Sequence, residues 1–207
     1  MTFKTEQEDF WAGSFGSQYI ARNQDDALLP SLINFFARSL RLVQGAASCI
    51  EFGANIGLNL KAIKVLHPEY DLHGVEINAD AAGELAKAIP QGNVHNCSIL
   101  DFKPGRAWDL ALIKGVLIHI APEALPQVYD TLVAACRKHL LVAEYYNPSP
   151  VAISYRGEQN KLFKRDFAGE ILDRHSEMRL VDYGFVYRRD PNFPDDDITW
   201  FLLEKRS

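Results

Sequence analysis

The stretch that most constrains the fold is an apolar segment, Ala46 to Phe52, which runs into a glycine-containing loop and then a helical pattern. Glu51 ends this predicted strand, and Gly53 and Gly57 complete the spacing E-x-G-x-x-x-G. Glycine lets a ligand approach the backbone because it has no Cβ, and a loop that opens a helix offers unpaired N–H donors. The dinucleotide pattern G-x-G-x-x-G is broken at Asn55. The loop therefore favours a nucleoside-type cofactor over a pyrophosphate, the alternative being a tight turn that binds nothing.

A second strand and carboxylate extend this pattern. Tyr70 to Glu76 is predicted to be a second short strand, and its last residue, Glu76, lies 19 residues after Gly57. An acid about 20 residues beyond the glycine loop of a strand–helix–strand unit accepts hydrogen bonds from ribose hydroxyls; the alternative is an ordinary surface glutamate. Further strands are predicted over Asn93 to Cys97 and Trp108 to Lys114. The loops after these strands meet at the carboxyl edge of one sheet, where open α/β sheets bind ligands.

The order of the elements predicts an α/β fold in one domain of 207 residues. A helical cap (1–44) precedes a core of alternating strands and helices (45–146) and a substrate-side segment (147–207). That last segment is read as a Pro-containing stretch, a helix and two closing strands. Alternation of this kind gives a parallel sheet with right-handed crossovers. Within the cap, a helix from Leu28 to Val43 carries an apolar face that we expect to cover the sheet.

Composition excludes several classes of protein. A net charge of −5 and a pI near 5.7 disfavour binding to nucleic acid, which usually requires a basic face. No apolar run reaches the length of a membrane span, and the acidic start does not resemble a signal peptide. The three cysteines, Cys49, Cys97 and Cys136, are expected to be buried reduced thiols, which is typical of a cytoplasmic protein. The protein is expected to act as a monomer or homodimer.

The motifs together resemble those of class I S-adenosyl-L-methionine (SAM)-dependent methyltransferases. The matching segments, in the family's order, are E-F-G-A-N-I-G, G-V-E-I-N, N-C-S-I-L-D-F and W-D-L-A-L-I-K-G-V-L-I-H-I-A-P-E. The chain is also similar to a bacterial group of pseudaminic acid biosynthesis-associated methylases, through F-W-A-G-S-F-G-S-Q-Y-I-A-R-N, A-E-Y-Y-N-P-S-P and V-D-Y-G-F-V-Y-R-R-D-P. The resemblance implies a Rossmann-like, seven-stranded, mostly parallel sheet in the order 3-2-1-4-5-7-6, with an antiparallel seventh strand.

The resemblance also implies SAM as the cofactor and S-adenosyl-L-homocysteine (SAH) as its product. Gly53 to Gly57 would hold the methionine part, Glu76 the ribose, and Ile77 and Ile99 the adenine, while Ser98 stands where the family often has Asp. From the cap, Tyr19 and Arg22 could reach the methionine carboxylate, which needs a partner once water is excluded. The residues expected at the cofactor site are Tyr19, Arg22, Glu51, Gly53, Ala54, Asn55, Gly57, Glu76, Ile77, Ser98, Ile99, Lys114, Gly115 and Val116.

Two residues are candidates for the chemistry. Methyl transfer from a sulfonium is an in-line displacement in which the protein mostly positions and desolvates the reactants. His119, five residues past Lys114, suits a general base by its ordinary pKa; the alternative is that it packs or caps the following helix. Tyr145 ends the predicted fifth strand and is therefore expected at the same carboxyl edge of the sheet, where ligands bind. The ends of strands four and five offer no cluster of acids, so no metal is expected.

A basic segment, Arg156 to Arg165, suggests the chemical class of the methyl acceptor. Arginine forks suit carboxylates and phosphates, so we expect an anionic small substrate such as a nucleotide sugar, a sugar acid or a phosphoryl compound. The alternative is a solvated basic face. The residues expected at the substrate site are Tyr146, Asn147, Tyr155, Arg156, Lys161, Lys164 and Arg165.

The function that fits these expectations is O-methylation of a small molecule in surface-glycan or specialised metabolism. Alternatives are a catalytically silent SAM-fold protein, an N-methyltransferase and, disfavoured by the glycine spacing, an NAD-dependent oxidoreductase. The acidic run Asp195 to Asp197 is left open between a solvated turn and a pocket rim.

Overall fold

A computed structural model describes the backbone of residues 4–20, 26–155 and 158–206, with their side chains except at positions 26, 155 and 158–161. The helices are α1 (Glu6–Ala12), α2 (Ser14–Ile20), α3 (Leu29–Ser39), α4 (Leu58–Leu66), α5 (Ala79–Ala88), α6 (Leu125–Ala135) and α7 (Phe167–Arg174). The strands are β1 (Ser48–Phe52), β2 (Asp71–Glu76), β3 (Val94–Asn96), β4 (Trp108–Lys114), β5 (Cys136–Glu144), β6 (Val151–Tyr155), β7 (Glu158–Lys164), β8 (Met178–Phe185) and β9 (Thr199–Lys205).

The main sheet has seven strands in the order β3-β2-β1-β4-β5-β9-β8. The first five are parallel, β9 runs antiparallel to β5, and β8 runs antiparallel to β9. All five residues of β1 are buried, as expected of a central strand covered on both faces. The predicted α/β class, the strand order and the antiparallel closing strand are therefore confirmed.

Helices cover both faces of the sheet. On one face α3, α4 and α5 pack Phe36, Leu60 and Leu85 into one hydrophobic cluster. On the other, α6 and α7 pack Leu132 and Ile171 into a second cluster. The predicted apolar helix of the cap is present as α3, although it ends at Ser39, four residues earlier than expected.

A hairpin of β6 and β7 was not predicted. The sequence suggested a Pro-containing stretch over 147–160, but Val151 pairs with Lys164 in an antiparallel two-stranded sheet separate from the main one. Leu162 and Phe163 of β7 are buried, and β7 packs on the short 3-10 turn Leu117–His119. The hairpin therefore lies next to the end of β4, on the side where an acceptor was expected.

Two further findings concern the described residues. Within those ranges, no helix is long and apolar enough to cross a membrane, and no group of histidine, cysteine and acidic side chains suits a metal ion. Cys49 and Cys136 are buried free thiols as predicted, whereas Cys97 is partly exposed. Cys97 follows β3, which is only three residues long and borders the cavity described next.

Candidate functional site

A cavity of about 460 Å³ opens at the carboxyl edge of the parallel strands. Loops after β1, β2, β3 and β4 form its floor, and α1 and α2 of the cap contribute Trp11 and Tyr19 to its wall. The predicted site residues that line it are Tyr19, Gly53, Ala54, Asn55, Glu76, Ile77, Ser98, Ile99, Lys114, Gly115, Val116, His119 and Tyr145. The structure thus brings together residues that lie up to 126 positions apart in the sequence.

The glycine loop after β1 is shaped by close packing. Gly53 and Gly57 have φ of +73° and +85°, and Asn55 has φ of +48°. A Cβ on Gly53 would lie 2.4 Å from the Cγ2 atom of Val116. The N–H groups of Gly53 and Ala54 donate to the Val75 carbonyl at 2.8 and 3.0 Å. These two donors are therefore bonded within the protein, and glycine serves here to bring two loops together under the cavity.

Glu76 faces the cavity with its oxygens already partly engaged. Its Oε2 accepts the Asn55 N–H and its Oε1 accepts the Asn78 N–H, each at 2.8 Å. Burial raises the pKa of Glu76, and the backbone N–H groups oppose that shift. Because each carboxylate oxygen can accept two hydrogen bonds, both oxygens retain capacity for a diol. The structure therefore places Glu76 in the cavity, and its ribose-binding role stays a prediction.

Apolar residues beyond β2 and β3 form the other end of the cavity. Ile77 and Ile99 line it beside Ser98, whose hydroxyl accepts the Leu100 N–H at 3.0 Å. Accepting that bond leaves the Ser98 hydroxyl hydrogen available for a ligand. Two aliphatic side chains and one donor suit a flat heteroaromatic ring.

Glu51 and Gly57 lie one layer behind the cavity wall. Glu51 is 0% exposed, and its Oε1 accepts the side-chain amide of Asn59 at 2.6 Å. Its Oε2 has no hydrogen-bond partner among the described residues. Burial raises the pKa of Glu51 to about 8, although Asn59 and Lys114 oppose the shift. Glu51 therefore acts on the cavity through Asn59, which lines the cavity. Gly57 packs against Leu85, and a Cβ on Gly57 would lie 2.7 Å from the Leu85 side chain.

The end of β4 is held by Glu144 of β5. Glu144 is 3% exposed, and its Oε1 accepts the N–H groups of Val116 and Leu117 at 2.9 and 2.8 Å. Burial raises the pKa of Glu144 to about 7. The Leu117–His119 turn begins at these N–H groups. Glu144 therefore positions both the floor of the cavity and His119, a role that the sequence did not suggest.

Lys114 and Asp195 form an ion pair inside the cavity. Lys114 Nζ lies 3.3 Å from Asp195 Oδ2, and the two side chains are 11% and 12% exposed. Asp195 belongs to the acidic run that the sequence left undecided, and Asp196 also lines the cavity. The run is a pocket rim at Asp195 and Asp196. Asp197 does not line the cavity and pairs with Arg188 at 3.5 Å.

The candidate chemical residues, His119 and Tyr145, both line the cavity. His119 is 9% exposed, and its ring lies 4.6 Å from the Trp11 ring, centroid to centroid. The Tyr145 hydroxyl donates to Asp196 Oδ2 at 3.1 Å. The cap therefore contacts the candidate base directly, through Trp11.

The cap is anchored to the core by Asn78. Its side-chain amide lies 3.2, 3.3 and 3.4 Å from the carbonyls of Trp11, Ala12 and Gly13. Its Oδ1 accepts the Asp80 and Ala81 N–H groups at the start of α5. Asn78 thus joins the cap, α5 and the carboxylate of Glu76 at one point. Arg22, expected to act beside Tyr19, lies outside the described residues.

The predicted substrate residues are less concentrated. Tyr146 is 42% exposed and packs near Phe201, and Asn147 donates to the Ser149 carbonyl at 2.5 Å; neither lines the cavity. Arg165 donates to Glu170 at 2.7 Å, away from the cavity. Lys164 lies 5.1 Å above the Tyr145 ring, at the outer side of the wall. Arg156 and the side chains of Tyr155 and Lys161 lie outside the described residues.

No protein-family model and no curated protein matches the chain. Solved structures do match. One is the 1,6-didemethyltoxoflavin-N1-methyltransferase of Burkholderia thailandensis with bound 1,6-didemethyltoxoflavin and SAH. It has a TM-score of 0.70 and 17% identity, with 97% of this chain and 87% of that chain covered. A plantazolicin methyltransferase solved with a substrate analogue and SAH has TM-score 0.67 and 14% identity, with 97% and 95% covered. A sugar N-methyltransferase from Streptoalloteichus has TM-score 0.66 and 13% identity, with 95% and 94% covered. The chain therefore has the class I SAM-dependent methyltransferase fold.

Proposed function

We propose that this protein transfers a methyl group from SAM to a small molecule. The observation that carries the proposal is the cavity itself, which joins Glu76, the glycine loop and the apolar adenine-type pocket to His119 and Tyr145. Its volume of about 460 Å³ falls within the range of about 300–1,000 Å³ typical of small-molecule sites. Two solved structures of similar fold contain bound SAH.

The residues present fit the cofactor. Glu76 offers acceptor capacity for the ribose, and Ile77, Ser98 and Ile99 offer a slot for the adenine. The described lining contains four carboxylates, those of Glu8, Glu76, Asp195 and Asp196, against one lysine, Lys114. An excess of negative charge suits SAM, whose sulfonium and ammonium outweigh its carboxylate.

The protein's contribution is positioning, dehydration and removal of a proton. SAM supplies the methyl group on a sulfonium, which makes it electrophilic. Trp11 and His119 close the wall where an acceptor would meet that methyl group, and the buried floor excludes water. If the accepting atom is a hydroxyl oxygen, His119 would take its proton. Glu144 fixes His119 through the backbone of its turn.

The fold does not define the methyl acceptor, so its accepting atom and its charge are part of the proposal. O-methylation in surface-glycan or specialised metabolism follows from the sequence resemblance to the pseudaminic acid-associated group. An anionic acceptor held by Arg156 and its basic neighbours remains a prediction, and Arg156→Ala should raise KM without loss of SAM affinity. N-methylation is the second candidate, since two of the neighbouring structures are N-methyltransferases by name. A cytoplasmic location is inferred from the unpaired cysteines.

The test is a matched pair of variants titrated with SAH by calorimetry. Glu76→Ala should weaken binding on the order of 100-fold, because two hydrogen bonds to a charged acceptor are lost. Glu84→Ala, which removes an exposed acid on α5 that pairs with Lys87, should leave SAH affinity unchanged. Equal affinity of the two variants, both folded by circular dichroism, would contradict a ribose site at Glu76.

A further inference from the structure

Of the acidic rim, Asp196 contacts Tyr145 beyond the end of β5, on the far side of the cavity from the ribose acid, whereas Asp195 reaches Lys114 at the end of β4. Glu76 ends β2, whereas Asp195 and Asp196 precede β9. The order β2-β1-β4-β5-β9 separates these two strands by four intervals, or about 19 Å at a strand spacing of about 4.8 Å. In SAM the sulfonium is bonded to the ribose-derived C5′ carbon, so a cofactor held at Glu76 would carry its methyl group towards β1 and β4. The wall at β5 and β9 therefore faces the acceptor.

The hydrogen-bonding character of this wall is one-sided. The Tyr145 hydroxyl donates its hydrogen to Asp196 Oδ2 at 3.1 Å. With that hydrogen committed, the phenol oxygen and the carboxylate can only accept further hydrogen bonds. Asp195 is occupied differently, since its Oδ1 accepts the Asp196 N–H at 2.8 Å and its Oδ2 faces Lys114. Asp196 is thus the rim carboxylate that is not neutralised by the lysine in the described lining.

We propose that Asp196, together with Tyr145, recognises a hydrogen-bond-donating group on the methyl acceptor, either a hydroxyl or a protonated amine. This inference rests on the proposed function and deepens it by naming the acceptor as a hydroxylated or aminated compound. An anionic group cannot take this place, because it would meet the Asp196 carboxylate without a hydrogen between them. Any anionic part of the acceptor would have to lie towards the hairpin, where Lys164 approaches Tyr145.

Asp196→Asn is the informative variant. The asparagine has nearly the same size and can still accept the Tyr145 hydrogen through its amide oxygen. It removes the charge and turns one accepting position into a donor. Asp197→Asn is the matched control, because Asp197 is the next residue but does not line the cavity and contacts Arg188 instead.

The experiment has two readouts on the whole chain. The first is SAH affinity by calorimetry for wild type, Asp196→Asn and Asp197→Asn. The second is transfer of radiolabelled methyl from SAM to three sets of probes: neutral sugars, amino sugars and sugar acids that lack an amine. Transfer to neutral or amino sugars is expected, and the preference between these two sets distinguishes a hydroxyl from an amine.

The expected result is a loss in kcat/KM on the order of 10- to 100-fold for Asp196→Asn, as for one hydrogen bond to a charged group. SAH affinity should stay within about twofold of wild type, and Asp197→Asn should match wild type in both readouts. Failure of wild type to bind SAH would instead overturn the proposed function itself.

Three outcomes would overturn the inference while leaving the proposed function standing. The first is a weakening of SAH binding by Asp196→Asn as large as its loss of turnover, which would assign the carboxylate to the cofactor. The second is unchanged turnover of Asp196→Asn. The third is normal SAH binding by wild type with no transfer to any of the three sets of probes, all of which carry a hydroxyl or an amine.

Discussion

Replacing Glu144 with alanine should destabilise the fold, and more so at acidic than at alkaline pH. The change removes the acceptor of the buried Val116 and Leu117 N–H groups. An unsatisfied buried donor costs about 1–3 kcal/mol, so two cost about 2–6 kcal/mol. This is the expected loss in the free energy of unfolding near pH 5, where Glu144 is protonated in the folded state and still accepts both bonds.

The pH dependence follows from the raised pKa of Glu144. Burial lifts that pKa from 4.5 to about 7, while Lys114 and the backbone N–H groups act in the opposite direction. The folded state therefore holds the proton more tightly than the unfolded state. Stability due to Glu144 is fully present below pH 4.5 and is lost as the pH rises through about 7. The loss amounts to about 3 kcal/mol by pH 8, so alanine should cost correspondingly less there.

Urea denaturation at pH 5.5 and pH 8 measures this difference, with Glu144→Gln as the second variant. Glutamine keeps the carbonyl that accepts the two N–H groups but cannot ionise. It should exceed wild type in stability by about 1.4 kcal/mol at pH 5.5 and by about 3 kcal/mol at pH 8. The reasoning is refuted if alanine costs as much at pH 8 as at pH 5.5, or if glutamine is as damaging as alanine.

Three further changes test the walls of the cavity. Burial raises the pKa of Glu51 to about 8, so wild type loses stability as the pH rises from 5 to 8. Glu51→Gln should reduce this fall in the free energy of unfolding, measured by urea denaturation, and an unchanged dependence on pH would contradict the reasoning. Gly53→Ala should weaken SAH binding in calorimetry at least tenfold, because the added Cβ meets Val116 and the positive φ costs about 1–2 kcal/mol. Gly83→Ala, with open space at its Cβ, is the control, and equal affinities would count against the loop packing. Asn78→Ala should release the cap and make its helices the first site of limited proteolysis; cleavage no faster than in wild type would show that the cap is held otherwise.

The sheet could be predicted because its strands are short runs that contain apolar residues and are followed by loops with glycine or polar residues. β1 and β2 are buried along nearly their whole length, and both end in a carboxylate, Glu51 near the end of β1 and Glu76 at the end of β2. Gly53 and Glu76 could likewise be placed at the ligand edge, because a strand end fixes where the next residues lie. Side-chain direction at that end was harder. Glu51 points to the α4 face with Cys49, following the two-residue period of a strand, and so reaches Asn59 and not the cavity.

The hairpin and the acidic rim could not be predicted for a different reason. β6 and β7 pair only with each other, and Pro148 and Pro150 before them are typical of a loop. Asp195 and Asp196 resemble a solvated turn, since only the fold places Lys114 and Tyr145 against them. The contacts of Asp195 and Asp196 with Lys114 and Tyr145 join distant parts of the chain and leave no local signal in the sequence.

The most direct test of the central claim is calorimetric titration of the purified wild-type protein with SAH and, separately, with NAD. Binding of SAH in the micromolar range with no binding of NAD is the predicted result. Binding of NAD without SAH would contradict the account, because the cavity would then serve a pyrophosphate-containing cofactor that the glycine spacing and the bonded loop N–H groups disfavour.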